Sequence, residues 1–337
     1  MRYIITLAFA STPALAEVPS VVTDIPPVHA LVSQVMGDLG QPVLLLERGA
    51  DEHDFQLRPS QAASVADSDL VVWIGPELTP WLDGAMDTRP EGASALALLS
   101  AEGTVTRAYS DPGHGDEHAG EGHDHAKEDE AHTEEGHDHA EEGHDHAAET
   151  KDHAEEGHDH DHAHDGNDPH AWLDPGNGKA WLGLIAAELS RLDPDNAATY
   201  QANATAAAQQ IDALDSEIAA ILAPVQGKPV VTFHDAYGYF GDHYGLTFAG
   251  SIALGDASSP GAQRLSELRA TMEAGDVLCI FPEAQHDPAL VTQMAEGTGA
   301  RVGGVLDPVG STLEPGPGAY AALLKGMATT LAACVAG

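Results

Sequence analysis

The sequence predicts an α/β protein of two (β/α) lobes with mainly parallel sheets, joined by one long rigid helix. Three observations predict it. Short continuous apolar runs alternate with helical patterns in both halves of the chain, the mark of parallel strands covered on both faces. One stretch, 195–222, keeps a single apolar helical face throughout. Within the first half, residues 111–168 form an insertion that holds 22 Asp/Glu, two Lys and 14 of the 20 His of the 337-residue chain. Apart from Ala that segment has no hydrophobic side chain, so it builds no core and is expected to be disordered.

In chain order, residues 1–16 read as a signal peptide. Arg2 supplies a positive start, 4–10 an apolar stretch too short to span a bilayer, and Ala14-Leu15-Ala16 a small-x-small cleavage site. Cleavage after Ala16 implies a soluble exported protein, most simply periplasmic. Residues 17–193 form the first α/β lobe. Its strands are expected at 20–24 (SVVTD), 43–46 and 70–74 (LVVWI). A helix follows Pro26 and Pro27, with Val28, Leu31, Val32, Val35, Met36 and Leu39 on its apolar side. Another helix spans 177–192. The linking helix is assigned to 194–223: Tyr200, Ala204, Ala207, Ile211, Leu214, Ile218 and Ile221 alternate spacings of four and three, and Pro224 and Gly227 end it. In the second lobe, 224–337, strands are expected at 229–233, 247–252, 277–281 and 301–306. Helices are expected at 236–243, 261–274, 288–298 and 317–333.

Composition narrows the function. There are 54 Asp+Glu against 14 Lys+Arg, a formal net charge of −40, which excludes nucleic acid and anionic membrane surfaces as partners. Hydrophobic residues make up 42%, enough for a core. Two Cys exclude a disulfide-rich scaffold. Export makes Cys279 and Cys334 candidates for one disulfide; the other readings are two buried thiols or a metal pair, the latter disfavoured by the absence of close CxxC spacing.

Inside the insertion, GHDH recurs at 122, 136, 143 and 157, always offset by multiples of seven. No apolar a/d positions accompany the period, so it is no coiled coil. Imidazole suits Zn²⁺, Cu²⁺ and Ni²⁺. His123, His125, His137, His139, His144, His146, His158, His160, His162 and His164 are therefore expected to gather metal loosely, because ordering a floppy loop costs conformational entropy. Six His lie elsewhere: His29, His53, His170, His234, His243 and His286. His53 and His234 follow strands directly, where ligands bind in open α/β sheets. Three imidazoles converging between two lobes make a tetrahedral site with one position left. His29 begins a helix near the cleft, whereas His243 and His286 read as surface or hydrogen-bonded residues. Glu283 and Asp235, at strand ends, are candidates to orient a ligating imidazole. Trp73, Trp81 and Trp172 read as packing residues.

The segments GADEHDFQLRPSQAASVADSDLVVWIGPELTPWL, NDPHAWLDP, VVTFHDAYGYFGDHYGL and RVGGVLDPVGSTLEPGPGAY carry a family resemblance. They resemble the periplasmic solute-binding proteins of bacterial zinc ABC importers, the ZnuA type among the cluster A-I metal-binding proteins. The resemblance covers most of the mature chain. It implies two (β/α) lobes bridged by a rigid helix, with a metal site in the cleft between them and a charged His-rich loop before the second ligand. Carried over, the zinc ligands are His53, His170 and His234. The fourth partner is Glu52, Asp307 or a water. The manganese-binding relatives place a carboxylate where His234 stands, so His here favours Zn²⁺. Cys279 and Cys334 match a second-lobe disulfide of some members. The implied function is high-affinity capture of Zn²⁺, the transported cargo, and delivery to a membrane ABC permease driven by a cytoplasmic ATPase. The expected protein is a monomer, not an enzyme, with no membrane insertion of its own. Two other readings remain at this point: a periplasmic metal buffer or chaperone independent of a transporter, and a zinc hydrolase. The second lacks HExxH or a comparable catalytic motif.

Overall fold

The computed structural model describes residues 18–109, 166–253, 260–275 and 277–337. The expected signal peptide and the histidines of the insertion lie outside them.

The first lobe is built on a four-stranded sheet in the order β2-β1-β3-β4, from β1 (Val21–Thr23), β2 (Val43–Leu44), β3 (Leu70–Trp73) and β4 (Ser94–Ala97). Every neighbouring pair runs parallel, with Val22 opposite Val43 and Val71, and Val72 opposite Leu96. The central strands β1 and β3 are buried along their whole length, which is why they read as unbroken apolar runs. Its helices are α1 (Pro26–Met36), α2 (Pro59–Ala66), α3 (Asp83–Met86) and α4 (Pro175–Leu192). Pro26 and Pro27 open α1, where their missing N–H groups cost nothing. Gly37 closes it in a left-handed conformation (φ 57°), and a Cβ there would press on Asn203. Asp24, buried at the end of β1, accepts bonds from Ile25 N and Ile74 N at 2.8 Å each, tying the ends of β1 and β3 together. Burial pushes its carboxyl up to about 7.

The second lobe repeats the topology. β5 (Val230–His234), β6 (Phe248–Ala253), β7 (Cys279–Ile280) and β8 (Arg301–Val302) form a parallel sheet in the order β6-β5-β7-β8. Its helices are α6 (Gly238–Tyr244), α7 (Ala262–Ala274), α8 (Ala289–Ala295) and α9 (Ala319–Ala336). Cys279 and Cys334 are joined in a disulfide that staples β7 to the last turns of α9. Among the described residues, α9 is the one helix long and apolar enough to cross a membrane. Its Tyr320, Leu323, Leu324, Met327 and Leu331 are buried as core, against α1 and the long linking helix.

The linking helix is α5 (Ala197–Leu222), 26 residues or about 39 Å long. Its buried side is Tyr200, Ala204, Ala207, Ile211, Leu214, Ile218 and Leu222, the expected stripe except that Leu222 rather than Ile221 is fully covered at the last turn. It packs on α1, α4 and α9 and so touches elements of both lobes. The described lobe resumes before the expected end of the acidic window at 168. Asn167 pairs with Ala108 across an antiparallel bridge and Asp168 is fully buried, so both belong to the ordered lobe.

Candidate metal centre

In both sheets the first strand is central and the chain crosses from one side of it to the other. Crevices beyond the carboxyl ends of such strands collect ligands. His234 is the last residue of β5, and Glu283 lies just beyond the end of β7, the next strand in the sheet. Glu52 and His53 stand in the loop after β2. That loop is held by Trp81 Nε1, which donates to Glu52 O at 2.8 Å, and by Asp51, whose carboxylate accepts His53 N at 2.9 Å. His170 starts the 3₁₀ turn that leads into α4.

These four side chains converge. The ligand atoms of Glu52, His53, His170 and His234 all lie within 4.8 Å of one another. The ring centroids of His53 and His170 are 5.5 Å apart, those of His53 and His234 5.9 Å, and those of His170 and His234 5.3 Å. His170 Nε2 and His234 Nε2 are 3.4 Å apart. Two nitrogens bound to one tetrahedral zinc at about 2.0–2.1 Å stand about 3.3 Å from each other, so this spacing fits a shared ion. Glu52 Oε1 is 3.8 Å from His53 Nε2. Three neutral imidazoles and one carboxylate are a donor set suited to zinc.

The opposite ring nitrogens are fixed by carboxylates. His170 Nδ1 is 2.7 Å from Asp168 Oδ1, which also accepts His170 N at 3.0 Å. His234 Nδ1 bonds Glu283 Oε2, while Glu283 Oε1 accepts Tyr237 Oη at 2.9 Å and His234 N at 3.2 Å. Each contact sets the tautomer that leaves Nε2 facing the cluster. Charges follow from this packing. Burial pushes the Glu52 carboxyl up to about 8. Burial alone lowers the His234 imidazolium, but the Glu283 carboxylate outweighs it and carries the group up to about 9. Glu283 itself is held below the usual carboxylate range: burial raises it, and the His234 charge and the bonds from His234 and Tyr237 more than offset that.

The remaining candidates fall elsewhere. Asp307 turns its carboxylate to Ser311 N and Thr312 N, each at 2.9 Å, and to Thr312 Oγ1 at 2.6 Å. His29 is buried against Pro42 O at 3.2 Å, and burial lowers its basicity. His243 bridges Asp174 and Asp215 at 3.0 and 2.9 Å. His286 stacks on Phe233 with centroids 4.1 Å apart and forms a second cluster with His234 and Glu283, whose facing atoms already bond each other. Trp172 is fully buried and donates to Pro308 O at 2.8 Å. Asp168, not Asp235, takes the His170 ring. Its signal was present in D-P-H: proline restricts the preceding residue to extended backbone, which brings that residue's carboxylate back to the N–H two positions on.

A model of the ZnuA family, "Zinc-uptake complex component A periplasmic", matches residues 21–334. The chain belongs to this family. "High-affinity zinc uptake system protein ZnuA" of Paracoccus denitrificans (strain Pd 1222) is 56% identical over 329 residues, covering 98% of this chain and 95% of that protein. The protein of the same name from Brucella abortus (strain 2308) is 41% identical over 327 residues, covering 97% and 95%. The fold is shared with a crystal structure of ZnuA at TM-score 0.68 and 24% identity, over 94% of this chain and 99% of that one. It is shared also with FpvC from Pseudomonas aeruginosa in complex with Mn²⁺, at TM-score 0.72 and 20% identity, over 95% and 99%. The two-lobed α/β architecture expected from the sequence is that of the family fold, and the expected disulfide is formed in this chain.

Proposed function

We propose that this protein captures Zn²⁺ in the periplasm and delivers it to an inner-membrane ABC permease with its cytoplasmic ATPase. One observation carries the reading: the ligand atoms of Glu52, His53, His170 and His234 meet within 4.8 Å on an otherwise buried floor. His53, His170 and His234 are the nitrogen ligands. Glu52 is the fourth ligand, because the Asp307 carboxylate already serves the turn at Ser311 and Thr312. The lobes are residues 17–193 and 224–337, with 194–223 as the link. The signal peptide is removed after Ala16, and the mature protein works as a monomer. The His-rich insertion acts as an auxiliary collector or sensor of zinc. The site holds a cargo and lets it go, and no substrate is turned over on it.

The test is zinc titration, by competition with a chelating dye, of the mature protein lacking residues 111–164. One tight site is expected to survive, and His53→Ala is expected to weaken it by orders of magnitude. A variant that keeps the tight site without His53 contradicts the ligand assignment. Growth of a deletion strain under zinc chelation separates import from buffering, since a buffer is dispensable for uptake.

A further inference from the structure

The chain passes into residues 110–165 and returns from them through a neck that is also part of the metal centre. Ala108 pairs with Asn167, and Asp168 N donates to Arg107 O at 2.9 Å. Tyr239 Oη accepts Arg107 N at 3.0 Å and donates to Asp168 O at 2.8 Å, so one hydroxyl closes both strands of the neck onto α6. The Arg107 guanidinium then reaches over the Tyr239 ring, 5.9 Å from its centroid. It bonds Asp168 Oδ2 at 3.0 Å and Asp242 Oδ2 at 3.1 Å. Asp168 is thus divided between two partners. Oδ2 takes Arg107, and Oδ1 takes both the backbone and the ring of His170.

The room for this arrangement is built in. A Cβ on Gly238, the first residue of α6, would stand 1.5 Å from Arg107 Nη1 and 2.1 Å from its Cζ. The missing side chain is the seat of the guanidinium.

We propose that Arg107 is a positioning residue for zinc binding: by clasping Asp168 in the neck it fixes the His170 imidazole in the orientation that points Nε2 at Glu52, His53 and His234. Asp168 is fully buried, so without Arg107 one of its oxygens is left without its charged partner. The carboxylate then turns to recover a bond and takes the His170 ring with it. Removing a ligand's own hydrogen-bond partner lowers metal affinity by about 10- to 100-fold, and Arg107 acts one bond further out, through Asp168. The inference rests on the zinc-site reading above.

Two variants test it by opposite means in the full mature chain. Arg107→Met removes the cation. Gly238→Ala keeps the cation but fills its seat, and only the end of a flexible side chain has to move. Each is expected to weaken zinc binding by about 10-fold, the lower end of what loss of a direct partner costs, with Arg107→Lys recovering part of the loss and Co²⁺ in the site showing a weaker d–d spectrum than in the parent. In a His170→Ala background, Arg107→Met is expected to have no further effect, because its only route to the ion is gone. Zinc affinity within about twofold of the parent for Arg107→Met, or an equal loss with and without His170, overturns the proposal. If His234→Ala also keeps a tight site, the centre itself is misassigned. A His234→Ala loss beside an unaffected Arg107→Met removes only the clasp.

Discussion

At the scale of single residues, the site is arranged so that zinc competes with protons. With the proposed ligand set, zinc requires His234 as a neutral imidazole and Glu52 as a carboxylate. In the ion-free protein burial raises Glu52 to about 8, and Glu283 raises His234 to about 9 against the opposing effect of burial. Near pH 7 both groups carry a proton that the ion has to expel. Zinc affinity is therefore expected to rise with pH from 6 to 9. Calorimetric heats at pH 7 are expected to change with the ionisation enthalpy of the buffer, and heats that do not vary would contradict the assigned ligands. The stability of the ion-free protein moves the other way. A histidine whose folded value lies above 6.5 contributes stability that is complete below that pH and lost as pH rises through about 9. A carboxyl raised from 4.5 to about 8 contributes nothing below pH 4.5 and opposes folding increasingly as pH rises to about 8, so it pulls the same way. The melting temperature without metal is expected to drop between pH 6.5 and 9, and that with zinc to drop less.

At the scale of elements, legibility followed chemistry and periodicity. The α5 stripe, the buried strands β1, β3 and β5, and the three histidines of the candidate centre stand out because burial forces an apolar pattern and because imidazoles are rare outside the insertion. β4 escaped notice. Its SALA sequence at a sheet edge is half exposed and has no β-branched residue, so it carries neither strand signal. α2 lacks an apolar face and buries only Val65. Asp168 was concealed by the acid-rich stretch it adjoins, and Arg107 by partners that lie 61 and 135 positions away in sequence. The disulfide belongs to this scale. It closes a separation of 55 residues between β7 and α9. Loop-closure entropy puts its contribution at about 4 kcal/mol. Replacing both cysteines with serine is expected to lower the urea midpoint accordingly and to leave zinc affinity unchanged, since neither residue touches the cluster. A parallel loss of affinity would mean that the staple holds β7, and through it Glu283, in place.

At the scale of the whole molecule, the lobes are tied together on more than one side. α5 packs along α1, α4 and α9 for about 39 Å. Independent bonds join the lobes elsewhere. Gly49 N donates to Ser311 O at 3.0 Å, Arg48 Nη2 to Thr312 O at 2.9 Å, and Trp172 Nε1 to Pro308 O at 2.8 Å. Tyr320 Oη donates to Trp172 O at 2.9 Å, and Gln34 Nε2 to Pro317 O at 2.6 Å. A hinge needs a few residues free to absorb a large backbone rotation. Here the connection is a continuous helix, and rotation about it breaks bonds on both faces. Zinc loading is therefore expected to tighten loops rather than swing lobes. In the protein lacking residues 111–164, small-angle scattering curves with and without zinc are expected to superpose. Amide exchange is expected to slow at 49–54, 166–174 and 234–237, with α1 and α5 slow in both states. A contraction of the size seen when hinged two-lobed binding proteins close would show that α5 bends. The cleft would then have to be read as a trap that shuts rather than a seat already formed.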